Sequence, residues 1–70
     1  LRAIGERYRF TRAESRLAAQ LAEGRGLREA ATRCGIGYGT ARSYLKILFQ
    51  KTGTHRQAEL VALLLGSRRA

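Results

Sequence analysis

Residues able to do covalent or metal chemistry are scarce in this 70-residue chain: one cysteine (Cys34), one histidine (His55) and five acidic residues. Nucleophilic catalysis needs a base beside the nucleophile and an orienting group behind the base, and no such set is recognisable here. One Cys and one His are too few soft ligands for a structural zinc site, and a single cysteine closes no internal disulfide. The expectation is no catalytic residue, no metal, no cofactor, and a protein that is not an enzyme. Glu14 and Glu29 read as capping and surface-pairing groups. Cys34 reads as a buried small hydrophobe on an apolar helix face, since redox sensing needs an exposed thiolate. His55 reads as a surface or helix-capping residue.

What the chain does hold is cations. Fourteen Lys+Arg against five acids give +9 at pH 7, with a sequence pI near 11.4. That balance argues for a polyanionic partner. The run 38–51 contains no carboxylate. On a helix, its Arg42, Ser43, Lys46 and Gln50 share one face at spacings of three and four. Solvated helices usually mix signs to gain i,i+4 pairs; a one-sign face gives up that help and gains attraction to phosphates. An α-helix fits the major groove of duplex DNA, where Arg pairs bidentately with guanine and Lys donates to the same acceptors. An ordinary solvated face is the plain alternative. Tyr44 either packs its ring on the preceding helix and offers its hydroxyl to a phosphate, or simply closes the core edge. Tyr38 has the same two readings.

These residues need helices to position them. Glycine supplies the punctuation, there is no proline, and no alternating strand-like stretch appears, so the expected class is all-α. Thr11 followed by Glu14 is a capping box, with Phe10 packing back onto the first turn. Leu17, Ala18, Leu21 and Ala22 continue that helix to Gly24. A second helix over 27–34 carries Leu27, Ala30, Ala31 and Cys34 on a narrow face of mostly small side chains, suited to a close helix crossing. Gly35, Ile36 and Gly37 form a turn with Ile36 as its buried anchor. The third helix, 38–51, places Ala41, Leu45, Leu48 and Phe49 inward, joined by Tyr44 and Thr52. A fourth, about 55–65, carries Ala58, Val61, Ala62 and Leu65 on one stripe and Leu60 and Leu64 on a second, more apolar surface than one small core requires. Residues 1–9 read as a linker or frayed arm, 10–66 as the domain, and 67–70 as a disordered basic tail.

At 44% hydrophobic residues the chain is too apolar for a disordered basic tail. Its longest apolar run, 60–65, is far short of the ~20 residues that span a bilayer. Beginning at Leu1 without a methionine, it reads as one domain cut from a longer intracellular protein.

The ordered pieces Phe10-Thr11-Arg12-Ala13-Glu14, Leu21-Ala22-Glu23-Gly24, Glu29-Ala30-Ala31, Gly35-Ile36, Thr40-Ala41-Arg42-Ser43-Tyr44-Leu45 and Leu48-Phe49-Gln50-Lys51 resemble the C-terminal DNA-binding domain of LuxR-type (GerE- or FixJ-type) transcriptional regulators. The resemblance covers about 10–65. It rests on spacing across four helices, since no single piece is specific. It implies a tetrahelical helix-turn-helix domain without a wing, the second helix a scaffold and the third the recognition helix. It places base contacts on Arg42, Ser43 and Lys46, and phosphate contacts on Thr40 and on Lys51. It also implies a bacterial, cytoplasmic, nucleoid-associated regulator that dimerises through its fourth helix, which suits the stripe Ala58, Val61, Ala62 and Leu65. Departures are visible. The polar caps usual before the scaffold and recognition helices are Gly26 and Gly37, a branched residue is replaced by Ala41, a leucine by Thr52, and Gly39 loosens the first turn of the third helix.

Two rivals belong to other classes. One is a protein–protein module that uses the apolar stripes of 58–65 to dimerise or to grip RNA polymerase, with DNA secondary. The other is a basic amphipathic membrane-surface element, which would fold only on anionic lipid.

Overall fold

Helix formation is most strongly specified at Thr11, and the computed structural model, which describes residues 2–66, carries the expected capping box there. The Thr11 N–H donates to Glu14 Oε1 at 2.8 Å, and the Glu14 N–H donates to Thr11 Oγ1 at 3.1 Å. Among the described residues there are five helices and no strand: α1 Arg2–Arg7, α2 Arg12–Ala22, α3 Leu27–Cys34, α4 Tyr38–Thr52 and α5 Gln57–Gly66. The all-α class is borne out. No described helix is long and apolar enough to cross a membrane.

α2 is the central element, packing against α3, α4 and α5. It buries Leu17, Ala18, Leu21 and Ala22, the face read from the sequence. Ala30 and Ala31 of α3 are buried in the same core, where their small side chains suit close packing against the neighbouring helices α2 and α4. Ala41 and Leu48 of α4, and Leu60 and Leu64 of α5, complete the interior. A Cα radius of gyration of 10.8 Å matches the ~11 Å expected for a folded chain of this length.

α3 ends at Gly35, which takes the left-handed conformation at φ 70°. The Gly35 N–H donates to the Thr32 carbonyl at 3.1 Å and the Ile36 N–H to the Ala31 carbonyl at 3.0 Å, the pair of bonds that defines a Schellman stop. Ile36 then packs on the core while remaining half-buried, which corrects the expectation of a fully buried anchor. Cys34 is likewise half-buried rather than enclosed.

Residues 2–7 correct the reading of 1–9 as a linker or frayed arm. They form α1, and Ile4 enters the core at 5% exposure. The helix closes with the same pair of bonds, the Phe10 N–H donating to the Gly5 carbonyl at 2.8 Å and the Arg9 N–H to the Glu6 carbonyl at 3.3 Å. Gly5 permits the docking: a β-carbon there would come within 3.1 Å of Ser15 Oγ. Phe10 lies against Gly5 and stacks with Tyr8, ring centroids 6.2 Å apart. Six residues cannot hold a helix alone in water, so α1 exists because of this packing. The expected disordered tail, 67–70, lies outside the described residues.

Candidate nucleic-acid interface

α4 is turned by its own apolar residues. With Ala41 and Leu48 buried, the 100° step per residue carries Gly39, Ser43, Lys46 and Gln50 to the opposite side, and all four are exposed, as is Arg42 on the adjoining flank. Neither Arg42 nor Lys46 forms an ion pair among the described residues. Ser43 Oγ donates to the Gly39 carbonyl at 3.2 Å, which leaves its lone pairs free to accept. Thr40 is exposed on the far flank.

The residues expected to act together do meet. A groove of about 550 Å³ runs along the α4 face and is lined by Tyr38, Gly39, Arg42, Ser43 and Lys46, with Leu27 from α3 and Gln57 from α5 on its other wall. Tyr38 is 40% exposed, and the Arg28 guanidinium stands over its ring, 4.2 Å from the centroid. Tyr44 lies on the other flank, half-buried, beside Arg16, Cys34 and Ile36 around a crevice of about 30 Å³. Its ring therefore packs at the core edge beside the preceding helix, a placement that both of its readings share.

Electrostatics around the groove are one-sided. The carboxylate of α3, Glu29, does not line the groove and is engaged by Arg33 at 3.5 Å and by Arg25 at 3.9 Å. Arg25 also pairs with Glu23. The first-turn N–H groups of α3 and α4 add the positive ends of two helix dipoles, and neither cap, Gly26 or Gly37, supplies a side-chain hydrogen bond to them.

Lys51 is placed differently from the other cations. Its Nζ donates to Glu14 Oε1 at 2.6 Å and to the Arg9 carbonyl at 2.8 Å, so the end of α4 is tied to the start of α2 and the end of α1. Two of its three donors are spent inside the fold, which weakens its case as a phosphate contact. Burial pushes the Glu14 carboxyl upward, but the Lys51 hydrogen bond, the Thr11 N–H, the Lys51 charge and the Thr11 hydroxyl together outweigh it. The group titrates below its ordinary value of 4.5. Neither this link nor the Arg28–Tyr38 stack was visible in the sequence. Glu14 and Lys51 are 37 positions apart, and nothing local joins them.

On α5, the stripe expected to dimerise is the uncovered one. Ala58, Ala62 and Leu65 are exposed and Val61 is half-buried, while Leu60 and Leu64 fill the core. The open stripe borders a shallow depression shared with Leu21 and Arg25. His55 is exposed, and its backbone N–H donates to Glu59 Oε1 at 2.8 Å, as does that of Arg56 at 3.1 Å. The carboxylate cap at α5 thus comes from Glu59 and not from the histidine.

No family model matches this chain, and no curated protein or solved structure matches it either.

Proposed function

We propose that this chain binds double-stranded DNA with sequence preference, as the effector domain of a bacterial transcriptional regulator resembling the LuxR type. In this reading α2 to α5 form a helix-turn-helix unit, α3 is the scaffold, and α4 enters the major groove. The observation that carries it is the exposed, carboxylate-free face of α4 with Arg42, Ser43 and Lys46 side by side on an open groove. Lys and Arg supply sequence-independent affinity by releasing counterions from the phosphates, while Arg42, Ser43 and Lys46 address base edges. Thr40 flanks that face and suits a phosphate contact, while Tyr38 contributes its ring, over which the Arg28 guanidinium stands. Lys51 and Tyr44, held by internal packing, contribute less than the sequence suggested.

The test is selection of binding sites from random duplexes, followed by titration at several salt concentrations. If six phosphates are neutralised, log K falls against log salt with a slope of about −5. Arg42→Ala is expected to cost about 1–3 kcal/mol and to relax preference at one base pair. Equal loss on selected and random DNA would move Arg42 to the phosphate class. Absence of duplex binding even at low salt would end the reading.

A second reading has its own observation, the uncovered stripe Ala58, Val61, Ala62 and Leu65. It fits a module that dimerises, or that docks on RNA polymerase, through α5. Two half-sites in the selected sequence, with loss of cooperativity on Leu65→Lys, would favour dimerisation on DNA.

A further inference from the structure

The geometry points to Arg28 as a phosphate clamp at the mouth of the α4 groove, with Tyr38 as the residue that positions it and the sugar–phosphate backbone of duplex DNA as its partner. This inference rests on the DNA-binding reading above and adds a contact outside α4.

Arg28 stands in the first turn of α3 and is exposed, and its guanidinium carbon lies 4.2 Å from the centroid of the Tyr38 ring, at the first residue of α4. A guanidinium stacked on an aromatic ring uses its flat face for the stack and keeps its N–H donors at the edge. Those donors have no carboxylate to satisfy them. The adjacent Glu29 is engaged by Arg25 and Arg33, and Arg28 itself forms no ion pair among the described residues.

Tyr38 also lines the groove that holds Arg42 and Lys46, so the stack fixes a third cation at the end of that same groove. A free arginine loses rotamer entropy when it grips an anion. One already held on a ring loses less per bond formed. Because Arg28 projects from the scaffold helix and not from the helix that reads base edges, its contact falls on the backbone. Such a contact orients the protein without reading sequence. Tyr38 then acts through its ring, and its hydroxyl is dispensable.

The 70-residue chain is titrated with a selected duplex and with random-sequence duplex at several salt concentrations, and thermal melting is followed alongside. Arg28→Ala is expected to weaken binding about tenfold on both duplexes and to make the salt slope shallower by about 0.9. Arg28→Lys keeps the charge and loses the planar stack, so its slope stays and its affinity falls by less. Tyr38→Phe should match the parent, whereas Tyr38→Leu should weaken binding several-fold on both duplexes. Both side chains are exposed, so melting should hold. Were Arg28→Ala to unfold, the Arg28→Lys and Tyr38→Leu results decide alone.

The clamp is overturned if Arg28→Ala binds within twofold of the parent at an unchanged slope. It is equally overturned if its loss is confined to the selected duplex. Loss on Tyr38→Phe equal to that on Tyr38→Leu would overturn the positioning role of the ring. If Arg28→Ala is silent while Arg42→Ala still relaxes sequence preference, only the clamp has failed. If the parent chain binds neither duplex at low salt, the DNA-binding reading fails and takes the clamp with it.

Discussion

Thr11, Gly26 and Gly37 precede α2, α3 and α4 with nearly the same backbone: φ is −69°, −70° and −71°, and ψ is 167°, 166° and 159°. Only Thr11 offers a side-chain oxygen to the helix that follows. The α2 terminus is then closed further by Glu14 and, through it, by Lys51 of α4. The termini of α3 and α4 have no such cover. Neither glycine is required by conformation, since extended backbone at negative φ suits any residue, and a β-carbon would meet nothing within 4 Å at either position. Three helix ends of nearly equal geometry are thus finished in two ways. One is sealed and ties three helices together; the other kind leaves N–H groups bare beside the cationic groove.

The sealed end is the place to look for the largest effect. Glu14 is 4% exposed, and Glu14→Ala removes the carboxylate half of the capping box, leaving the backbone N–H of residue 14 to Thr11 Oγ1, and strands the Lys51 ammonium. The expected loss is about 2–3 kcal/mol, less than for a fully buried pair because Lys51 keeps some solvent. For a domain of this size that lowers Tm by about 10 °C or more. Urea unfolding measures it, and a loss below about 0.5 kcal/mol would demote the link to an ordinary surface pair.

The same carboxylate gives the fold a pH dependence of defined sign. Its pKa is lower in the folded chain than the ordinary 4.5, so the unfolded chain takes up a proton first as the pH falls. Its contribution is therefore whole above the ordinary value and drains away as pH drops through the folded one. Glu14→Gln should flatten the acid limb of stability between about pH 5 and the folded pKa, read from urea midpoints at successive pH values. An unchanged acid limb would assign the dependence to other carboxylates.

Which of these features the sequence disclosed follows from how far apart their partners lie. The capping box spans three residues and the α2 core face repeats every three or four, so both could be read directly. The exposed face of α4 was legible for the same reason: apolar spacing at Ala41 and Leu48 fixes where Arg42 and Lys46 must point. α1 was not legible, because six residues carrying three charges and a glycine have no helical preference of their own. Ile4 folds only once α2 is there to receive it. Lys51 looked like a free cation because its partners, Glu14 and the Arg9 carbonyl, come from other helices. Local pattern identifies which face is polar, but not which polar groups on it are already engaged.

A smaller effect is expected where α1 meets the sealed end. Arg9 holds φ 60° and is the described non-glycine residue with a positive φ, in the position that glycine usually fills at a Schellman stop. The left-handed conformation costs a side-chain-bearing residue about 1–2 kcal/mol, and glycine returns part of that gain as unfolded-state entropy. Arg9→Gly keeps the carbonyl that Lys51 uses and should raise stability by about 0.5 kcal/mol, a Tm increase of about 2–4 °C. A decrease would mean that the Arg9 side chain contributes contacts of its own to the sealed end.

The smallest effect on stability is the most informative about purpose. Replacing Gly26 or Gly37 by Ser supplies the missing cap and should stabilise the fold by only a few tenths of a kcal/mol. Replacing either by Asp should do at least as much, because a carboxylate at a helix N-terminus is favoured by the dipole. DNA affinity separates the two substitutions. If the bare ends of α3 and α4 face phosphates, the Asp variants place a negative charge where the backbone must approach, and binding weakens several-fold relative to the Ser variants on selected and random duplexes alike. Stability and affinity then move in opposite directions for one substitution and not for the other, a divergence that a purely structural role for these glycines does not produce. Ser and Asp variants that bind equally well would mean that the ends are bare for no reason connected with DNA, and the contrast with α2 would reduce to a cap that was never needed.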